Sequence, residues 1–138
     1  MPKPGDIICY EKFEFEDGTK KDKLFVVLND VDTDIPCLVL KTTSQSERYS
    51  GVKQGCNIAK KVFFIPTTWQ KCFTLDTYIQ LPPIIEFSLT DLLKGSLANK
   101  KISVTSSISS DCLVQLKNCL KKFKDYVSER HWELIFHS

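Results

Sequence analysis

The residue types able to do chemistry are concentrated between Lys20 and Arg48. Lys20-Lys21-Asp22-Lys23 leads into the apolar run Leu24 to Leu28, and a second run, Cys37 to Leu40, opens into Lys41-Thr42-Thr43-Ser44-Gln45-Ser46. Both runs are rich in β-branched residues, bounded by turn residues and too short for helices, so they read as neighbouring buried strands. One strand begins with ammonium groups and the other ends in hydroxyls. If they pair antiparallel, the start of one lies beside the end of the other, and Lys23, Thr42 and Thr43 share a rim of the sheet. Such a rim offers positive charge and hydrogen-bond donors, which suits a phosphodiester.

The elements that must position this rim follow in chain order. Pro4-Gly5-Asp6 is a turn that launches Ile7 to Tyr10, and the run continues through Phe13-Glu14-Phe15-Glu16, where alternation puts the two phenylalanines on one face. Asp17-Gly18 is a strong hairpin signal joining this strand to the lysine-led one. Asn29 to Pro36 is a loop, and Ser44 to Asn57 a long polar connection. Val62 to Ile65 is a strand stopped by Pro66. Thr67 to Cys72 is a turn holding Trp69. Asp76 to Leu81 is a strand interrupted by Pro82-Pro83 and resumed at Ile84 to Phe87.

Ser88-Leu89-Thr90-Asp91 has the spacing of a helix start, with an end expected at Gly95, and Asn99 to Ser107 includes a brief extended piece. Ser109 or Ser110 caps the one long helix, with Asp111 in its first turn. Cys112, Leu113, Leu116, Cys119, Leu120, Phe123 and Val127 form its apolar stripe. Lys117, Lys121, Lys122 and Lys124 lie mostly off the stripe and read as a solvated face. Trp132 to Phe136 is a last strand or an apolar tail. The sum is a mainly β domain spanning 1-138, a strongly bent sheet or partly open barrel capped by a C-terminal helix.

Composition narrows the class. At 138 residues, with 42% hydrophobic and 26% charged content, the chain is an ordinary globular domain large enough to bury a core. The opening residues lack the apolar centre of a signal peptide and no segment is long enough to span a membrane, so the cytoplasm is the default location. The six cysteines contain no Cys-x-x-Cys pair and read as reduced, half-buried apolar residues; no metal-ligand spacing is present, and His131 and His137 read as buried or solvated. A net charge of +2 makes any nucleic-acid role a matter of a local patch. Arg48 and Arg130 are the only arginines, and lysine cannot make the flat bidentate fork to phosphate.

Three stretches carry a resemblance: Pro4 to Ile7, Lys23 to Asn29 with its Leu-Phe-Val-Val-Leu-Asn, and Leu38 to Ser46 with its Thr-Thr-Ser-Gln-Ser. Together with the order of elements, they make the chain similar to the MazF/PemK family of bacterial toxins. The resemblance implies an SH3-like barrel that dimerises and cuts single-stranded RNA as an endoribonuclease. It also implies neutralisation by an antitoxin, with no cofactor and no metal. Thr42 falls at the position of the family's active-site hydroxyl, with Thr43 beside it, and Lys23 where the family's strand opens with Arg-Pro; here the chain has Lys23-Leu24. Lys21, Lys41, Gln45, Ser46 and Arg48 are candidate RNA contacts, and Tyr49, Trp69 and Phe73 candidate base-stacking rings. Two other classes stay open: the same barrel as a binding module for a protein or peptide, and a structural subunit using the Trp132 to Phe136 tail.

Overall fold

The computed structural model describes residues 1–94 and 102–137, and in it Asp17-Gly18 forms the turn of a β-hairpin. It joins β1 (Asp6–Glu14) to β2 (Lys20–Val27). Gly18 takes a φ of 86°, a conformation that only glycine adopts without strain, and its N–H donates to the Phe15 carbonyl. β3 (Cys37–Thr43) pairs with β2 along one edge. Its other edge takes β7 (Ile85–Phe87) against Cys37–Val39 and β6 (Thr77–Gln80) against Thr42–Thr43. β6 and β7 therefore make one path broken at Pro82-Pro83, where proline nitrogens have no hydrogen to give a ladder.

β5 (Val62–Ile65) adds to β6 and β4 (Gly55–Asn57) to β5, while β8 (Ile102–Ser107) pairs with β1. The order is β4-β5-β6-β3-β2-β1-β8, all pairings antiparallel. The mainly β, partly open sheet is the one the strand pattern leads one to expect, followed by two C-terminal helices where one was expected. β4 is an addition, lying within the stretch read as a polar connection. Three residues cannot show a period of two, so only the pairing with β5 reveals the strand.

Each face of the sheet carries a core. Val26, Leu28, Leu38, Leu40, Phe63, Ile65, Ile79 and Leu81 point to one side, where the stripe of α2 (Ser110–Lys121) covers them with Cys112, Leu116, Cys119 and Leu120. Ser109 caps this helix by accepting from the Cys112 N–H. Leu116 and Leu120 are wholly buried, and each contributes about 1.5–3 kcal/mol through the apolar area removed from water. On the opposite side Ile8, Phe25, Val27, Cys37, Val39 and Phe87 pack with Ile102 and with Leu92 of α1 (Leu89–Lys94). Ser88 accepts from the Asp91 N–H at the start of α1; the end expected at Gly95 lies outside the described residues.

The tail departs from both sequence expectations, because Trp132 to Phe136 belongs to a helix, α3 (Glu129–Phe136). Ser128 caps it by accepting from the His131 N–H, and Trp132, Ile135 and Phe136 recur at helical spacing, with Ile135 buried in the first core. The helical lysines are more than a solvated face. Lys117 donates to the Ile135 carbonyl at 3.1 Å, and Lys121 and Lys124 sit over the rings of Phe136 and Trp132.

The cysteine reading is corrected at one pair. Cys56 on β4 and Cys119 on α2 are joined in a disulfide, with Cα atoms 5.5 Å apart, while Cys9, Cys37, Cys72 and Cys112 are free thiols. The partners are 63 residues apart in sequence, and only the docking of α2 on β4 brings them together.

Asn29 closes the loop between β2 and β3. It is 1% exposed; its amide donates to the carbonyls of Pro36 and Asp30, and its oxygen accepts from the Leu38 N–H at 2.8 Å. Asn29→Ala is expected to cost about 2–3 kcal/mol, because buried backbone groups lose their partners. Asn29→Asp, which matches the shape and cannot donate, should lose comparable stability. A denaturation midpoint unchanged in both variants would show that the side chain does not hold the loop.

Candidate functional site

Pleat parity decides which rim residues meet. Leu24 and Val26 of β2 and Leu28 directly after it, with Leu38 and Leu40 of β3, belong to the helix-covered core, whereas Phe25, Val27, Cys37 and Val39 belong to the other. Thr42 continues the first set and Lys23 and Thr43 the second, since successive side chains alternate across a strand. Lys23 and Thr42 therefore face opposite sides of the sheet and do not share a pocket. Phe25–Lys41 is the last pair of the β2–β3 ladder, and the same register carried two residues further along each strand would set Lys23 across from Thr43.

The hydroxyls differ accordingly. Thr42 is 4% exposed, opposes Ile79 of β6, and commits its one proton to the Leu24 carbonyl at 2.9 Å. It closes the β2–β3 ladder where backbone pairing stops. Thr43 is partly exposed, and its oxygen accepts from the Gln45 N–H at 3.2 Å. Among the described residues nothing takes the Thr43 proton, which leaves that hydroxyl able to donate to a ligand.

Lys23 is partly buried, with its ammonium 5.8 Å from the centre of the Phe15 ring. Burial, and then the positive charges of Lys41, Arg48 and Lys21, hold its pKa below the usual lysine value. Among the described residues no carboxylate forms an ion pair with it. The ion pairs among the described residues are those of Glu86 with Arg130 and His131, so Lys21, Lys23, Lys41 and Arg48 form a cluster without salt-bridge partners. Like charges gathered in this way favour an anion, whose arrival would relieve their mutual repulsion.

The segment after Thr43 extends the site. Gln45 and Ser46 are exposed, and Ser46–Tyr49 form a 3-10 turn that carries exposed Arg48 toward the lysines and lays Tyr49 on the sheet. Tyr49 stacks on Tyr78 with ring centres 5.1 Å apart, and Tyr78 stacks on Phe64 at 4.7 Å. Tyr78 opposes Thr43 across β3 and β6, and Phe64 opposes Tyr78 across β5, so the three rings and Thr43 lie on one face. Gln80 donates to the Tyr49 hydroxyl at 3.2 Å. Glu47 and Asp76 stand near this end and, after burial, add to the rise in the Tyr78 pKa. Positive charge is thus gathered at the Lys23 end, and rings at the other.

Of the three rings named from sequence, only Tyr49 reaches this face. Phe73 is buried in the helix-covered core, and Trp69 packs against that core beside Phe63. Phe64, Tyr78 and Gln80 were missed by sequence reasoning. Their signal was the alternation in Val62–Ile65 and Thr77–Gln80, which places them together only once the pairing of β5 and β6 with β3 is known.

A second polar group ties β7 to α3. Glu86 accepts from Arg130 at 2.7 Å and from the His131 ring at 2.6 Å, and these partners hold its carboxyl below the usual range. Its charges are satisfied internally, as a structural clasp requires. Among the described residues no three His, Cys, Asp or Glu side chains gather as a metal site would need, and no helix is long and apolar enough to cross a membrane. The chain matches no model of a known protein family, and no curated protein matches it.

Proposed function

We propose that this chain is a MazF/PemK-like endoribonuclease toxin acting on single-stranded RNA at the face that carries Lys23, Lys41, Thr43 and Arg48. The observation that carries the assignment is the pairing of an unneutralised cationic cluster with a threonine whose proton is uncommitted. Cleavage of this type uses the RNA's own 2′-hydroxyl. Its oxygen attacks the adjacent phosphorus as solvent water takes its proton, the bond to the 5′-oxygen breaks, and that oxygen takes up a proton, giving a 2′,3′-cyclic phosphate and a free 5′-hydroxyl.

The protein then has to orient the phosphate, stabilise the charge that builds on it and protonate the leaving oxygen. Thr43 donates to a phosphate oxygen. Lys41 and Arg48 hold the strand. Lys23, with its lowered pKa, gives up a proton more readily than an ordinary lysine and is the acid for the departing oxygen. Lysine in place of a guanidinium gives less directional contact, and a slow enzyme is expected. The toxin would be a homodimer, held inactive by an antitoxin whose acidic segment covers the same cations.

The test is incubation of the purified protein with a single-stranded RNA in EDTA, followed by analysis of the product ends. Cyclic phosphate ends and growth arrest on expression support the enzyme. Intact RNA with harmless expression leaves the second reading, a binding module of the same fold for a protein or peptide partner. That reading is favoured by Thr42, at the position the family resemblance marks, being engaged inside the sheet.

A further inference from the structure

We infer that Tyr49, stacked on Tyr78 and Phe64 and held by Gln80, is a nucleobase platform that lets the cationic face distinguish a base-bearing strand from a bare polyanion. This rests on the RNA reading above and adds to it the subsite that senses the base. Phosphate affinity alone does not require rings, and a buried core does not require a ring at the surface. Here Tyr78 is 5% exposed and sandwiched, whereas Tyr49 and Phe64 on its two sides remain partly exposed. A three-ring stack open at its ends can be continued by another flat ring.

The platform is anchored in two ways. The hydrogen bond from Gln80 to the Tyr49 hydroxyl fixes the ring edge, and the 3-10 turn fixes its backbone next to Arg48. Arg48 is the only cation of the cluster adjacent in sequence to a ring. A nucleotide whose phosphate meets Arg48 and Lys41 would therefore have a stacking surface within its own length. Glu47 and Asp76 near the ring end make that end unfavourable for a second phosphate and fix which part of the nucleotide goes where.

Binding of three labelled probes to the full chain tests this: a single-stranded oligoribonucleotide, an abasic strand with the same number of phosphates, and inorganic polyphosphate. Wild type should bind the base-bearing strand more tightly than the abasic one. Tyr49→Ala should reduce binding of the base-bearing strand by roughly 5- to 150-fold, the range for loss of one stacked base, while leaving the abasic strand and polyphosphate within about twofold. Tyr49→Phe keeps the ring and should retain most of the preference. Gln80→Ala, which leaves the ring in place, gives a second measure should Tyr49→Ala prove unfolded, and is expected to weaken the preference severalfold.

Lys23→Ala should weaken all three probes together. A wild-type preference unaltered in Tyr49→Ala and Gln80→Ala, or equal binding of base-bearing and abasic strands by wild type, overturns the platform while leaving RNA binding intact. Failure of wild type to bind any probe removes the RNA reading itself, and the platform with it.

Discussion

Thr43→Ala is expected to lower the rate of RNA cleavage by about 10²–10³-fold, while Thr42→Val leaves the rate within a few fold of wild type. The first change removes a hydroxyl aimed at the face where the cations gather, and loss of one donor to a developing oxyanion has an effect of this order. The second removes a hydroxyl whose proton already belongs to the Leu24 carbonyl inside the sheet. Its consequence is one of stability, about 1–2 kcal/mol, because a partly buried carbonyl loses its donor. Lys23→Ala should resemble Thr43→Ala, with a loss of about 10²–10⁴-fold if the ammonium supplies the proton. Single-turnover rates with each variant at saturating enzyme separate chemistry from binding. The opposite pattern, activity lost in Thr42→Val and kept in Thr43→Ala, would place the reacting phosphate on the helix-covered side and refute the site described here.

Replacing Cys56 and Cys119 together by serine is expected to lower the unfolding free energy by about 4 kcal/mol, from the chain entropy regained when a loop of this length is opened. The bond spans 63 residues, a stretch that contains β5, β6, β7, α1 and β8, so its loss frees the unfolded chain by about 1 kcal/mol more than opening a loop of about 15 residues would. For a domain of this size the midpoint of thermal unfolding should fall by roughly 15 °C. Reductant should lower the wild-type midpoint by a similar amount and leave the double variant unmoved. Thiol titration of the unreduced, unfolded protein should find four groups rather than six, since the other four cysteines are free. Six reactive thiols, or a midpoint indifferent to reductant, would show that the two sulfurs are not bonded in solution. The bond also anchors the far end of the connection that carries Arg48 and Tyr49, because Cys56 lies in the strand where that connection ends. Opening it should weaken RNA binding as well as the fold.

Local patterns fixed many of the elements before any tertiary information was needed. Asp17-Gly18 can make a tight turn that few other pairs make, Val62–Ile65 and Cys37–Leu40 are short apolar runs bounded by turn residues or Pro66, and Ser109 has a helical stripe beginning directly after it. These are properties of neighbouring residues. The cationic rim was legible for the same reason, since Lys21, Lys23, Lys41 and Arg48 flank strands whose antiparallel pairing a short loop favours. Trp132 to Phe136 shows how this kind of reading fails: five residues are too few to separate a period of two from one of 3.6, and it is the cap at Ser128 together with packing of Ile135 that selects the helix.

The linear chain placed Thr42 and Thr43 together on the rim with Lys23 and marked Thr42 as the active-site hydroxyl, whereas in the fold only Thr43 faces the cations. A shift of one residue carries a side chain through the sheet, so Thr42 and Thr43 are interchangeable in sequence and on opposite sides in the fold. The choice is made by Leu38 and Leu40 of the same strand packing in one core with Leu116 and Leu120 of a helix distant along the chain, which turns Thr42 inward and Thr43 outward. The Cys56–Cys119 bond and the stack of Tyr49, Tyr78 and Phe64 have the same origin: they join strands and a helix that are distant along the chain, and only burial of the common apolar surface brings them within reach.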